Sequence, residues 1–166
     1  MAEALTVLSP VSGRVVAMHD VPDPVFAESL VGPGLAISPD PERGREVVAP
    51  CAGVVVKLHA HAFVLAAGGS PPAPGAAAVA GGRGVLVHLG IDTVQLRGAG
   101  FTLHVAEGDA VDAGQVLVTW SPSEVSDGGR SPLVPVVALD LGPGGLEPIA
   151  RPGAVVAAGD PLFRLR

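Results

Sequence analysis

Short apolar runs recur along the chain, most of them closed by glycine, proline or charged residues. They read LTVL (5–8), GRVVAM (13–18), GLAI (34–37), EVVA (46–49), GVVVKL (53–58), HAFVLA (61–66), GVLVHL (84–89), FTLHV (101–105), QVLVTW (115–120), LVPVVAL (133–139) and PLFRL (161–165). Their length, valine content and turn-rich separators predict β-strands. No segment sustains a helical period, and only DPVFAESL (23–30) suits a single helical turn. Many short strands with so little helix predict an all-β fold: a sandwich or barrel with few short helical turns.

Two internal echoes add a prediction about how that fold is built. SPVSGRVV (9–16) and APCAGVVV (49–56) both fit [SA]-P-x-x-G-x-V-V, while EGDAVDAGQVLVTW (107–120) and PGAVVAAGDPLFRL (152–165) both fit G-x-x-V-x-A-G. A duplicated hairpin unit related by pseudo-symmetry accounts for both. The stretch AAGGSPPAPGAAAVAGG (66–82) breaks the strand rhythm, with no charge and no period, and predicts a flexible hairpin loop over 67–82. The 166 residues suit one domain, 1–166, with a core that needs no disulfides.

Composition narrows the function classes. Aromatics are only 3% of the chain, so valine, leucine, isoleucine and alanine must fill the core. The net charge is −6, with no basic stripe or stacking aromatics, which argues against nucleic acid as a partner. A lone cysteine, Cys51, supplies neither a disulfide framework nor a thiolate cage, and after Pro50 it reads as a small buried hydrophobe. The segment MAEALTVLSP lacks the basic and apolar regions of a secretion signal, and no apolar run is long enough to span a bilayer. A soluble cytoplasmic protein with no membrane insertion is expected.

Chemistry then falls to five histidines. His19 beside Asp20 and His104 in FTLHVAEG read as surface residues. His59 and His61 lie two apart, on one face if their strand is regular. His88 sits in the strand beyond the loop, so a hairpin brings it beside His61. A neutral imidazole is a nucleophile near neutral pH, its ordinary pKa being about 6.5. Two imidazoles on one face suit capture of a phosphoryl group, one attacking and one donating a hydrogen bond. They equally suit zinc, which His61, His88 and His59 together would ligate.

The segments SPVSGRVVAMHDVPDPVFAESLVGPGLAI (9–37), VVAPCAGVVVKL (47–58), HAF (61–63) and VLVHLGIDTVQLRGAGF (85–101) resemble the glucose-type enzyme IIA family of the bacterial phosphoenolpyruvate:sugar phosphotransferase system. The likeness continues through VAEGDAVDAGQVLVTW and SPLVPVVALD and covers nearly the whole chain. It implies an antiparallel β-sandwich and a phosphotransferase component working through phosphohistidine. By motif, the phosphorylated histidine becomes His61 and the second active-site histidine His88. The implied donor is the phosphocarrier HPr, and the implied acceptor is a cysteine of a sugar-specific IIB domain served by a IIC permease. The family's acids that receive an arginine of HPr become Asp23 and Asp92. An apolar docking rim would include Val25, Phe26, Val31 and Leu89. No metal or nucleotide is required for the transfer, and regulatory protein partners of the free form are compatible with it.

The chain departs from the family pattern in three places. KLHAHAF puts His59 where the family usually has a threonine two residues before the reactive histidine. Only eight residues precede SPVSG, whereas enteric members carry an amphipathic segment there. The 66–82 insertion is the third. Two other classes compete with the resemblance. A LytM-type zinc endopeptidase needs H-x-x-x-D, and HDVPD (19–23) supplies only H-D. A biotinyl or lipoyl carrier needs a lysine at a hairpin tip, and the sole lysine, Lys57, falls within a predicted strand.

Overall fold

The computed structural model describes residues 5–28, 32–67, 83–139 and 145–165. Its strands are β1 (Leu5–Leu8), β2 (Gly13–Ala17), β3 (Gly34–Pro39), β4 (Glu46–Val48), β5 (Gly53–His59), β6 (Ala62–Ala67) and β7 (Arg83–His88). They continue as β8 (Thr102–Leu103), β9 (Ala110–Val111), β10 (Val116–Thr119), β11 (Val134–Ala138), β12 (Leu146–Pro148), β13 (Val155–Val156) and β14 (Pro161–Leu165). Two short helices, α1 (Pro24–Ala27) and α2 (Pro122–Asp127), and three 3-10 turns complete the described elements.

Eight strands form the main sheet in the order β13-β2-β3-β11-β7-β6-β5-β9, and two three-stranded sheets, β1-β14-β12 and β4-β10-β8, complete the architecture. All pairings are antiparallel. One apolar core joins all three sheets: Val15, Ile37, Val55, Leu65, Val87 and Val136 meet Phe163 from β14 and Leu117 from β10. Strand alternation sends Val16, Ala36, Leu86 and Val137 to the opposite face. There the arm from Met18 to Phe26 covers them and makes a second apolar cluster. The central strands are therefore buried on both faces, which explains why β11 has no exposed residue.

The order of the main sheet is a palindrome in structure. β13, β2, β3 and β11 on one side answer to β9, β5, β6 and β7 on the other. The outer hydrogen bonds repeat as well. Leu8 N–H donates to the Pro50 carbonyl and Val48 N–H to that of Pro10, both at 2.8 Å. Val15 N–H reaches Ala154 O as Val55 N–H reaches Asp109 O, and Gly159 N–H reaches Ser9 O as Gly114 N–H reaches Ala49 O. The predicted duplication is thus realised as a pseudo-twofold lying between β7 and β11.

This repeat explains the glycine of the P-x-x-G motif. A Cβ on Gly13 would strike the Ser38 carbonyl oxygen, and one on Gly53 would strike that of Ala66. The neighbouring strand crosses too closely for any side chain. Elsewhere the structure adds elements that the apolar pattern did not predict. β9, β12 and β13 are too short to show alternation. In α2, Ser121 Oγ accepts the N–H of Glu124, a capping pattern legible as Ser-x-x-Glu. Of the expected loop at 67–82, Ala67 closes β6 and the remainder lies outside the described residues.

Gly53→Ala is expected to cost about 3 kcal/mol, because the displaced atom is strand backbone. Gly108→Ala, at φ +95° with nothing within 4 Å of the added carbon, should cost only about 1 kcal/mol of left-handed strain. Urea denaturation of both variants checks this; equal losses would mean that strand proximity is not the constraint.

Candidate active site

β6 and β7 bring the histidines together. Their register pairs Ala62 with His88, and Leu89 N–H donates to the His61 carbonyl at 2.7 Å. His61 itself lies in the turn between β5 and β6, one residue before the ladder. The imidazole centroids of His61 and His88 are 5.1 Å apart, in an edge-on arrangement. His59, the last residue of β5, stacks its ring on His61 at 5.6 Å. The expected shared face of His59 and His61 is therefore reached through the turn and not through a regular strand. His88 lies half-buried, with the Phe26 ring 5.3 Å away as a wall.

One hydrogen bond sets the chemistry of His88. Its Nδ1 lies 2.5 Å from the carbonyl oxygen of Gly90, which can only accept. Nδ1 therefore carries the proton, and Nε2 is the nitrogen left for chemistry. Gly90 takes φ +80°, and a Cβ there would lie 2.6 Å from Thr93 Cγ2. The turn is held from behind: Gly90 N–H donates to Leu133 O, Ile91 N–H to Ser131 O, and the buried Thr93 hydroxyl to Leu89 O at 2.7 Å.

Burial holds His61 below its ordinary pKa, reinforced by the His88 and His59 rings. Burial also holds His88 below its ordinary value, against opposing pulls from the Gly90 hydrogen bond and the carboxylates of Asp23 and Asp92. Both rings are thus neutral at neutral pH, and two acids stand within electrostatic reach of His88. Asp23 caps α1, its Oδ1 accepting the Val25 N–H at 2.9 Å. Asp92 is exposed and left-handed, at φ 62°.

The expected apolar rim needs correction. Val25 is 42% exposed, but Leu89 is wholly buried, because it follows the outward His88 and so points into the core. Phe26 is mostly buried, with its ring against His88. Val31 lies outside the described residues. Val94, which the sequence reading did not single out, is 59% exposed two residues after Asp92.

The rings of His59 and His61 stack near-parallel, at 25° between planes. Among the described residues no group of three His, Cys, Asp or Glu side chains is arranged to hold a metal ion. His19 lies 3.5 Å from Asp20 on the surface, and His104 shares a hydrogen bond with Thr119. Burial pushes the Cys51 thiol up to about 11, which removes it as a nucleophile. Lys57 is paired with Val64 within β5 and is not at a hairpin tip.

Residues 5–143 match the family model for the EIIA 1 component of the phosphoenolpyruvate-dependent sugar phosphotransferase system. The chain belongs to this family. It is 38% identical over 135 residues to the PTS system glucose-specific EIIA component of Halalkalibacterium halodurans, covering 81% of this chain and 70% of that protein. The N-acetylglucosamine-specific EIICBA component of Klebsiella pneumoniae is 37% identical over 171 residues, spanning all of this chain and 24% of that protein. Glucose permease IIA from Mycoplasma capricolum superposes with a TM-score of 0.83 at 31% identity, covering 99% of this chain and 97% of that one. The chain is thus a phosphocarrier component of the phosphotransferase system with the IIA sandwich fold. The peptidase and swinging-arm readings receive no support. None of the described helices is long and apolar enough to cross a membrane.

A histidine kept neutral by the fold binds fewer protons folded than unfolded. Its stabilisation is present above the ordinary value of about 6.5 and is lost as pH falls through the folded pKa. Imidazole NMR titration should therefore find both His61 and His88 below 6.5. Asp92→Asn should move the His88 midpoint further down, because a charge that favours the imidazolium has gone. A midpoint above 6.5 for either ring, or an upward move in the variant, contradicts this electrostatic account.

Proposed function

We propose that His61 is the phosphoryl acceptor and that His88 stabilises the transferred group. The observation carrying this reading is the pair of neutral imidazoles 5.1 Å apart, one of them with its tautomer fixed by Gly90. A ring nitrogen of His61 attacks phosphorus with its lone pair. The P–N bond of the incoming phosphohistidine breaks, and its electrons leave with the donor imidazole. A neutral nucleophile meets less repulsion from the phosphoryl oxygens than a carboxylate would. The phosphorylated state then adds negative charge beside His88. With Asp23 and Asp92 acting in the same sense, His88 takes up a solvent proton at Nε2 and donates that N–H to a phosphoryl oxygen. Positioning and charge supply most of the rate in such transfers.

The donor in this reading is phosphorylated HPr, and the onward acceptor is a cysteine of a sugar-specific IIB domain, with the relay working in the cytoplasm. Asp23 and Asp92 receive a basic side chain of the donor, and Val25 and Val94 give the docking face its exposed apolar area. His59, stacked on His61, lies where it can contact the bound phosphoryl group.

Incubation with phosphoenolpyruvate, enzyme I and HPr, followed by mass spectrometry under non-acidic conditions, should reveal one acid-labile phosphate. His61→Ala should abolish it. His88→Gln, which keeps a donor amide, should still accept phosphate but pass it on poorly. Full labelling of the His61 variant sinks the assignment.

Rim charges act mainly on association and are screened by salt. Asp92→Asn should slow phosphorylation several-fold at low ionic strength and little at high. Unchanged stopped-flow kinetics in both Asp23→Asn and Asp92→Asn would remove these acids from docking.

A further inference from the structure

The internal repeat provides a control for which side chains the fold itself requires. At the outer end of β2, beside β3 and β13, a cleft of about 490 Å³ is lined by the polar residues Ser12, Arg14, Ser38, Asp40, Arg43 and Asp160, with Gly13, the valines of β13 and Ala157 as its apolar wall. It shares no lining residue with the histidine site. The pseudo-twofold carries Ser12, Arg14 and Asp160 onto Ala52, Val54 and Gln115, which support the same strand pairings and turn hydrogen bonds. Asp160 has a structural duty that Gln115 shares: each side chain accepts the backbone N–H three residues before it, from Ala157 and Asp112. The other half keeps the same strand pairing with Val54 in place of the charged Arg14. Ser12, replaced there by Ala52, adds one contact of its own to the Ala158 N–H.

The cleft's polar groups are ordered by kind. Among the described residues neither Arg14 nor Arg43 lies within ion-pair distance of a carboxylate, although the Arg43 charge acts on Asp40 from further off. Ser12 Oγ accepts the Ala158 N–H at 2.9 Å, which leaves its hydroxyl proton to donate. Asp40 Oδ1 accepts the N–H groups of Arg43 at 2.8 Å and Glu42 at 3.0 Å, leaving Oδ2 as an open acceptor. Asp160 Oδ2 is held by Ala157, and among the described residues Oδ1 accepts no hydrogen bond. Two cations and two anions cancel in the cleft as a whole. A bare anion gains from the arginines but meets the aspartates. A ligand with one anionic group and several hydroxyls satisfies both sets, phosphate on the guanidinium forks and hydroxyls on the carboxylates.

We propose that this cleft binds a sugar monophosphate, through Arg14 and Arg43 on the phosphate and Asp40 and Asp160 on the sugar hydroxyls. Binding there is independent of the relay at His61.

The test is an amide NMR titration of the intact chain with glucose 6-phosphate, glucose and inorganic phosphate as separate probes. Glucose 6-phosphate should give saturable shifts at Arg14, Arg43 and Ala157, and leave His61 and His88 unmoved. Glucose should give none, and phosphate should bind more weakly. Arg14→Val, which installs the residue of the other repeat, and Arg43→Ala should each weaken binding roughly tenfold or more, the loss of one charge-assisted contact. Both variants should keep the parent's thermal midpoint and its labelling by phospho-HPr. Absence of saturable shifts, equal affinity for inorganic phosphate, or parental affinity in both variants overturns the proposal. Loss of labelling in His61→Ala with these shifts intact separates the cleft from the relay.

Discussion

The ladder between β6 and β7 is the constraint on which the site depends. It pairs Ala62 with His88, and its continuation from Leu89 N–H to the His61 carbonyl sets the second imidazole beside the first. A slip of one residue would turn His88 into the core and Leu89 out to solvent. The register is protected because both faces of β7 have apolar work: Val85 and Val87 fill the main core, while Leu86 packs under the arm that carries Phe26. Core packing and site geometry are therefore one requirement. The same strand that buries Val87 presents His88.

The pseudo-twofold shows how a duplicated scaffold came to hold one site. Ala67 and Pro39 are matched ends of β6 and β3, and counting back equally from each reaches Ala62 and Gly34. Their partners are His88 and Val137. Val137 is fully buried beneath the Met18–Phe26 arm, in the half of the sheet where no imidazole pair forms. His59 likewise has His19 as its mate in the repeated sequence, and His19 faces solvent beside Asp20. The arm closes one half and walls the other, since Phe26 reaches across to the ring of His88. Symmetry supplies the frame, and the arm breaks it.

Around the imidazoles, backbone groups do much of the tuning. The Gly90 carbonyl fixes which nitrogen of His88 is free, and the carbonyls of Ser131 and Leu133 hold Ile91 and Gly90 in place. Burial keeps both rings neutral, while Asp23 and Asp92 limit how far His88 is depressed. That balance suits the role proposed for His88, neutral before transfer and ready to accept a proton after it. The helix cap of Asp23 and the left-handed turn at Asp92 place these carboxylates from opposite ends of the sequence interval.

The short valine-rich runs closed by turn residues by themselves determined that this is an all-β protein, because such runs are too short and too β-branched to form helices. The repeated P-x-x-G and G-x-x-V-x-A-G segments determined the duplication, since a glycine is needed wherever the next strand crosses at carbonyl distance. The alternation along GVLVHL also held the reason that Leu89 is not on the rim: a residue adjacent to an outward histidine points inward. Tertiary structure alone decided the rest. Two-residue strands such as β9 and β13 exist only because β5 and β2 offer them a partner, so no local period marks them. The protonated nitrogen of His88, the ring of Phe26 beside it and the stacking of His59 on His61 depend on contacts made through the turn at Gly90, the arm over the sheet and the β5–β6 turn. Such contacts join residues far apart in the chain or reversed by a turn, and a one-dimensional pattern carries no distance between them.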